Sequence, residues 1–136
     1  PHPEGLGAIA AMRQALADAG LDAGQIDYIN LHGTATPNND AAEDRAVSAV
    51  SGTAVPCRPA EVAGGGGGGA AGGVEAVLSL LALRDGLMPG GLNLRARDPA
   101  LHAAYLSENR RAPLQRVLSN SFGFGGSNAS LVLGAA

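Results

Sequence analysis

The sequence IDYINLHGTATPNND, residues 26–40, contains the change from strand to loop to helix that decides the fold. Its first seven residues alternate apolar and polar side chains, which is the period of a β-strand. The loop that begins at Gly33 is rich in turn-forming residues. Asp40 and Glu43 have the spacing of a capping box. We therefore predict a helix that begins at Asp40 and runs to about Val50.

Two further helices are predicted on either side of this stretch. Residues 4–19 repeat apolar side chains at spacings of three and four, and Gly20 has the position of a C-cap glycine. Residues 74–84 are apolar on most sides, which is typical of a buried helix.

The C-terminal part of the sequence is predicted to complete a sheet. A short helix is possible over 101–106 within a polar segment, and strands are predicted at 117–121 and 130–133. The last strand is apolar enough to be central in a sheet. The order of elements predicts a layered α/β fold with mixed strand directions, formed as one domain over residues 1–136.

Composition excludes several classes of function. A net charge of −3 with 15% charged residues gives no electrostatic reason to expect nucleic acid or an anionic membrane as partner. No apolar run approaches the roughly 18 residues of a membrane span, and no signal peptide is visible. The single cysteine, Cys57, forms no internal disulfide and fits a reducing compartment, so we expect a cytoplasmic location. Because the sequence begins at Pro1 without Met, we also expect a fragment or a processed chain.

Three segments together resemble a known family. They are NLHGTATPNND at 30–40, GAAGGVEA at 69–76 and NSFGFGGSN at 120–128. Their order and spacing are similar to those of the His-Gly-Thr loop, the Gly-Ala-Ala-Gly helix start and the Gly-Phe-Gly-Gly loop of the β-ketoacyl-acyl-carrier-protein synthases. Residues 97–113 resemble the aryl polyene type of these enzymes.

This resemblance implies the C-terminal half of a thiolase-like fold, in which two similar α/β halves pack together, usually in a dimer. It implies a decarboxylating Claisen condensation of an acyl group, held on a cysteine of the other half, with malonyl carried on the phosphopantetheine arm of acyl carrier protein. It implies no other cofactor and no metal. The sequence corresponds to about the last third of a family member and lacks the part that would contain the nucleophilic cysteine.

The resemblance also implies roles for individual residues. His32 matches one of two histidines that donate hydrogen bonds to the developing thioester oxyanion. It lies at the end of the predicted strand, where open α/β sheets bind ligands, although a histidine can also simply cap a strand. Glu43 matches a glutamate that supports the active site, and it also fits a capping box.

The remaining predicted site residues lie in the loops. Thr34 and Thr36 match threonines that bind the pantetheine arm, although they also suit an ordinary turn. Phe124 matches a phenylalanine that gates access to the acyl group, with Gly125 and Gly126 in the same substrate-binding loop. Its alternative is a core aromatic. Phe122 is predicted to be structural, and Asn128 to support the glycine loop.

Residues 57–68 depart from the family pattern. The family has an active-site lysine at position 61 and its second histidine at position 66, where this sequence has Glu61 and Gly66. Glu61 would place a second carboxylate opposite Glu43. Neither Cys57 nor His102 has a motif around it that would replace these functions. A local reading-frame error is one hypothesis for this degenerate glycine-rich loop, and resequencing the gene over these codons tests it.

Three interpretations of function follow. The first is the C-terminal part of an active synthase, with acyl carrier protein as partner and the missing half or a homologous synthase subunit beside it. The second is a non-catalytic, chain-length-factor-like partner of an active synthase, which the loss of the functions at 61 and 66 favours. The third is a phosphate-binding loop at Gly64–Gly69, a run that alone has the composition of a flexible linker. The absence of a Walker lysine argues against the third.

Overall fold

A computed structural model describes residues 5–32, 37–57, 71–88, 102–106, 108–122 and 128–135 of the chain. Within its helices, the side chains of 37–40 and 71–75 are not described. In chain order the elements are α1 (Leu6–Ala19), a short 3-10 turn (Ala23–Gln25), β1 (Tyr28–Asn30), α2 (Pro37–Ser51), β2 (Pro56–Cys57), α3 (Ala71–Asp85), β3 (Leu87–Met88), β4 (Ala104–Tyr105), β5 (Arg110–Arg111), β6 (Arg116–Phe122) and β7 (Asn128–Gly134).

The main sheet has mixed strand directions, as the sequence predicted. Its order is β4-β2-β1-β6-β7. The first four strands are parallel, and β7 runs antiparallel to β6. Ile29 of β1 lies opposite Cys57 on one side and Leu118 on the other, so β1 is enclosed by neighbours. A separate antiparallel pair joins β3 to β5.

Successive residues of the central strands enter two cores on opposite faces of the sheet. Ile29 and Leu118 pack with α1 and α2, for example against the fully buried Met12. Tyr28 and Val117 belong to a second cluster on the side of α3. This alternation is the two-residue period of a strand, and it produces three layers, with α1 and α2 on one face and α3 on the other.

Helix α1 matches its prediction closely. It ends at Gly20, whose left-handed φ of 67° allows its N–H to reach the carbonyl oxygens of Leu16 and Ala17. Strand β6 is likewise confirmed, extending one residue beyond the predicted 117–121 at each end. Strand β1 is shorter than predicted, because regular pairing covers only Tyr28–Asn30.

Helix α2 begins three residues before its predicted start. Its first residue is Pro37, and proline is favoured there because its missing N–H would have no partner in the first turn. Asp40 is therefore inside the helix, and the predicted capping box of Asp40 and Glu43 is wrong.

The structure corrects two predictions made from apolar composition. Helix α3 was predicted to be buried, but Val77 and Leu80 are 54% and 50% exposed. Strand β7 was predicted to be central, but it is an edge strand of the sheet and its Leu131 is 49% exposed. In both cases the apolar pattern is present, but the described part of the chain supplies no second surface to cover it.

The possible helix over 101–106 is also wrong, because Ala104 and Tyr105 form the edge strand β4. None of the described helices is both long and apolar enough to cross a bilayer.

Candidate functional site

The candidate site lies where strands β1 and β6 end, side by side. His32 follows β1 by two residues, and Phe122 is the last residue of β6. The two aromatic rings have centroids 5.9 Å apart and are tilted by 56°. Phe122, which the sequence indicated to be structural, is therefore a direct neighbour of His32. Its ring restricts the positions that the imidazole can take.

Glu43 fixes the backbone of His32. Its side chain is buried within α2, at 3% exposure, and Oε2 accepts a hydrogen bond of 2.8 Å from the backbone N–H of His32. A hydrogen bond to an ionised carboxylate is shorter and stronger than one between neutral groups. The structure thus brings together two residues that the sequence singled out, 11 positions apart, and gives Glu43 a contact with the site.

Below His32, a buried polar pair connects β1 to α3. The side-chain amide of Asn30 donates a hydrogen bond of 3.2 Å to the hydroxyl of Ser79, and both residues are at most 2% exposed. Because α3 begins where the segment 58–70 ends, this bond relates the strand that leads to His32 to the helix that follows positions 61 and 66. Sequence reasoning did not find this pair.

A second buried amide joins three elements near the other end of the site. Asn120 of β6 is fully buried; its amide donates to the sulfur of Met12 in α1 at 3.4 Å. Its carbonyl oxygen accepts a bond of 2.8 Å from the hydroxyl of Ser130 in β7. Strands β6 and β7 pair as far as Phe122 opposite Asn128, and Asn120 lies opposite Ser130 in the third pair from that end. This network therefore ties both strands to α1 near the end of their pairing.

The other predicted site residues lie outside the described residues. These are Thr34, Thr36, Glu61, Gly66, Phe124, Gly125 and Gly126. Their roles therefore stay predictions.

Cys57 and His102 occupy positions that agree with the exclusion of both as substitute groups. Cys57 is fully buried in β2, and its thiol donates to the carbonyl oxygen of Val55 at 3.2 Å. His102 has an exposed side chain just before β4. Among the described residues, no cluster of three or more histidine, cysteine, aspartate or glutamate side chains could bind a metal ion.

Comparison with known proteins agrees with the motifs. The sequence model of a family described as "Beta-ketoacyl synthase, C-terminal domain" matches residues 1–95. The chain is 41% identical over 140 residues to the mitochondrial 3-oxoacyl-[acyl-carrier-protein] synthase of Arabidopsis thaliana, covering 97% of this chain and 30% of the relative. It is 39% identical over 135 residues to 3-oxoacyl-[acyl-carrier-protein] synthase 2 of Synechocystis sp., covering 96% and 32%.

Solved ketosynthase structures share the fold. The chain superimposes on a structure of a ketosynthase (ApeO) in complex with its chain length factor (ApeC) from Xenorhabdus doucetiae, with a TM-score of 0.92 and 44% identity, covering all of this chain and 35% of that one. A type II polyketide ketosynthase in complex with its acyl-carrier protein gives a TM-score of 0.90 at 25% identity, covering 100% and 34%.

These matches confirm the C-terminal half of a thiolase-like α/β fold. The chain spans about a third of the length of the curated relatives it matches. It belongs to the β-ketoacyl synthase family and carries that family's C-terminal domain.

Proposed function

We propose that this chain forms the C-terminal part of a 3-oxoacyl-acyl-carrier-protein synthase, an acyltransferase of fatty acid or polyketide-type biosynthesis. The observation that carries the proposal is the placement of His32. It lies at the carboxyl end of an enclosed parallel strand, and buried Glu43 binds its backbone N–H at 2.8 Å. Ligands of α/β sheets bind at such strand ends.

The reaction requires an N–H donor at this place. When malonyl thioester loses carbon dioxide, the electron pair of the broken C–C bond remains as an enolate, with its negative charge on the thioester oxygen. The enolate carbon then attacks the acyl thioester, and the cysteine thiolate leaves. A neutral imidazole donates one N–H to the charged oxygen, and a donor fixed in advance lowers the barrier most. Glu43 and Phe122 restrict the backbone and the ring of His32 respectively, so they provide this fixation.

The partner and the prosthetic arm that the family resemblance implies are proposed for this chain as well. We propose acyl carrier protein as the carrier of the substrate, with Thr34 and Thr36 binding its phosphopantetheine arm. We propose no other cofactor and no metal, and a dimeric full-length enzyme. The cytoplasmic location remains a proposal, since one relative is named as mitochondrial. The aryl polyene type is proposed from the resemblance of residues 97–113.

A second candidate function is a non-catalytic partner that shapes the chain-length cavity of an active synthase. The observation that favours it is the presence of Glu61 and Gly66 at the positions where the family has a lysine and its second histidine. Loss of one of two donors to a developing oxyanion typically reduces the rate about 100- to 1000-fold.

A chimeric synthase distinguishes the two functions. Residues 1–136 replace the C-terminal third of the Synechocystis synthase, which supplies the cysteine-bearing part, and condensation of acyl- and malonyl-carrier protein is measured. In the repaired chimera, Glu61→Lys and Gly66→His are combined with the host's matching residues at the other positions of 62–68. The repair should raise a low condensation rate about 100-fold or more, whereas either substitution alone should raise it less. His32→Ala in the repaired chimera should remove most of the gain.

Each outcome has a distinct meaning. A repaired chimera that folds normally but stays as slow as the unrepaired one shows that the register assigned to positions 61 and 66 is wrong. Full activity after His32→Ala shows that the role of His32 is wrong. An unrepaired chimera that is inactive alone, but changes the product length of a complete synthase added to it, supports the partner function.

A further inference from the structure

Asp44, the residue after Glu43, is a buried carboxylate that binds a distant part of the chain. It is 2% exposed, although it lies within helix α2. Successive residues of a helix point about 100° apart, so the side chains of Glu43 and Asp44 contact different segments of the chain. Glu43 binds the end of β1, and Asp44 binds the segment around β4.

Four hydrogen bonds satisfy the Asp44 carboxylate. The backbone N–H of His102 donates to both oxygens, at 2.9 and 3.1 Å, and the N–H of Ala103 donates to Oδ1 at 2.9 Å. The phenolic hydroxyl of Tyr105 donates to Oδ1 at 2.8 Å. A buried carboxylate is strongly destabilising unless such donors surround it. All of these donors belong to residues 102–105, so the carboxylate acts on a single segment.

Tyr105 is suited to remain a donor. Its burial raises the pKa of the phenol well above its ordinary value, and the hydrogen bond to Asp44 and the charge of that carboxylate raise it further. The hydroxyl therefore keeps its proton at pH values at which an exposed phenol would lose it, so it remains a donor to Asp44.

The segment that Asp44 binds forms the edge of the main sheet next to β2. Strands β4 and β2 have only two residues each, with Pro56 opposite Ala104 and Cys57 opposite Tyr105. The N–H of Leu106 adds one bond of 3.0 Å to the carbonyl oxygen of Cys57. Strands this short have little pairing energy of their own, so an edge built from them needs an outside anchor.

Strand β2 in turn lies directly beside β1, the strand that leads to His32. It runs parallel to β1, with Cys57 opposite Ile29, so both strands end at the same edge. His32 follows β1 at this edge, and Cys57 is the last described residue of β2 there.

We propose that Asp44 is a positioning residue for condensation. It binds residues 102–105 to α2, so that β4 keeps β2 in register with β1, the strand that leads to His32. The inference rests on the proposed function, because it gives Asp44 a part in positioning His32.

The test compares Asp44→Asn and Tyr105→Phe with Asp27→Asn in the repaired chimera. Asp27 is a matched control, since its Oδ2 also accepts two backbone N–H groups, those of Gln115 at 2.8 Å and Arg116 at 3.1 Å, but at the start of β6. Hydrogen exchange and condensation kinetics are measured for each variant. Tyr105→Phe is the milder change, which keeps the proposal testable if Asp44→Asn does not fold.

We expect Asp44→Asn to speed exchange at residues 102–106 about tenfold or more and to lower kcat about 10- to 100-fold with little change in KM, because a displacement near 1 Å has a cost of that order. Tyr105→Phe should have a smaller effect in the same direction, and Asp27→Asn should leave kcat near that of the parent. Unchanged exchange at 102–106, or an equal loss of kcat in Asp27→Asn, would overturn the proposal. If the repaired chimera with Asp44 intact stays as slow as the unrepaired one, the fault lies in the register assigned to positions 61 and 66, on which the proposed function depends, and hydrogen exchange at residues 102–106 still decides whether Asp44 anchors the edge.

Discussion

The exposed apolar face of α3 predicts that the 136-residue chain associates with itself through this helix. Val77, Leu78, Leu80 and Leu81 are 54%, 38%, 50% and 39% exposed. Full burial of such a side chain contributes about 1.5–3 kcal/mol, so four half-exposed side chains forgo about 3–5 kcal/mol in total. Two copies that cover each other's face regain roughly twice that amount, less the entropy of association. With an association cost of about 4 kcal/mol, the low end of the usual range, the net gain is at most about 6 kcal/mol, so we expect reversible association with a Kd of about 40 µM or weaker.

The perturbation is Leu80→Gln with Leu81→Gln, and the assay is sedimentation velocity across a concentration series. Glutamine forms helices well and both positions are partly exposed, so the variant should fold normally and remain monomeric where the parent associates. Leu6→Gln is the control, because Leu6 is 53% exposed on α1. The reasoning is refuted if the double variant associates like the parent, or if Leu6→Gln has the same effect. A monomeric parent with a cooperative melt above about 60 °C would refute it too.

Three further predictions concern activity, the site and pH. The isolated 136-residue chain should give no 3-oxoacyl product from acyl- and malonyl-carrier protein, because no acyl-cysteine forms on it, and product above a no-protein control would contradict this. Glu43→Ala should destabilise folding by about 1–3 kcal/mol in denaturant titration, because the N–H of His32 loses its partner; Glu43→Gln keeps an acceptor and should cost less, so equal losses would argue against this contact. The pKa of Tyr105 is higher folded than unfolded, so its stabilisation is complete below about pH 10 and is lost as the pH rises further, and Tyr105→Phe should reduce this alkaline loss measured by melting.

The local pattern of apolar and polar residues was sufficient to predict the elements whose apolar faces are buried by other parts of this chain. The stripe of α1 faces a sheet that the chain itself provides, and the strand period of β6 is fixed by neighbours on both sides. The left-handed Gly20 is a one-residue signal with one physical explanation. Such features depend on residues that are only a few positions apart, so they can be predicted directly from the sequence.

Pattern failed where burial depends on a surface that the described residues do not supply. Helix α3 has the composition of a buried helix and is half exposed, and β7 has the composition of a central strand and is an edge. The hydropathy of a segment indicates how much apolar surface it has to bury, but not whether the chain provides a surface that buries it. Strands β2 and β4 were missed for a different reason, since two residues cannot show a period.

The site shows the same division more sharply. His32 was predicted from its motif and Glu43 from its position in that motif, and the structure brings the two into contact while their roles stay predictions. Asp44 lies outside the motif, and the motif that begins at Asn30 does not indicate the partner of that residue. The partners of Asp44 and Asn30 lie 58 to 61 and 49 positions away, at places set by the order of the strands rather than by local sequence. The available signal was an acidic pair in the interior of a helix, between the buried Ala42 and the buried Ala46. That pattern indicates buried carboxylates that need donors, but only the register of β4 on β2 shows that the donors of Asp44 are the backbone N–H groups at 102 and 103 and the hydroxyl of Tyr105.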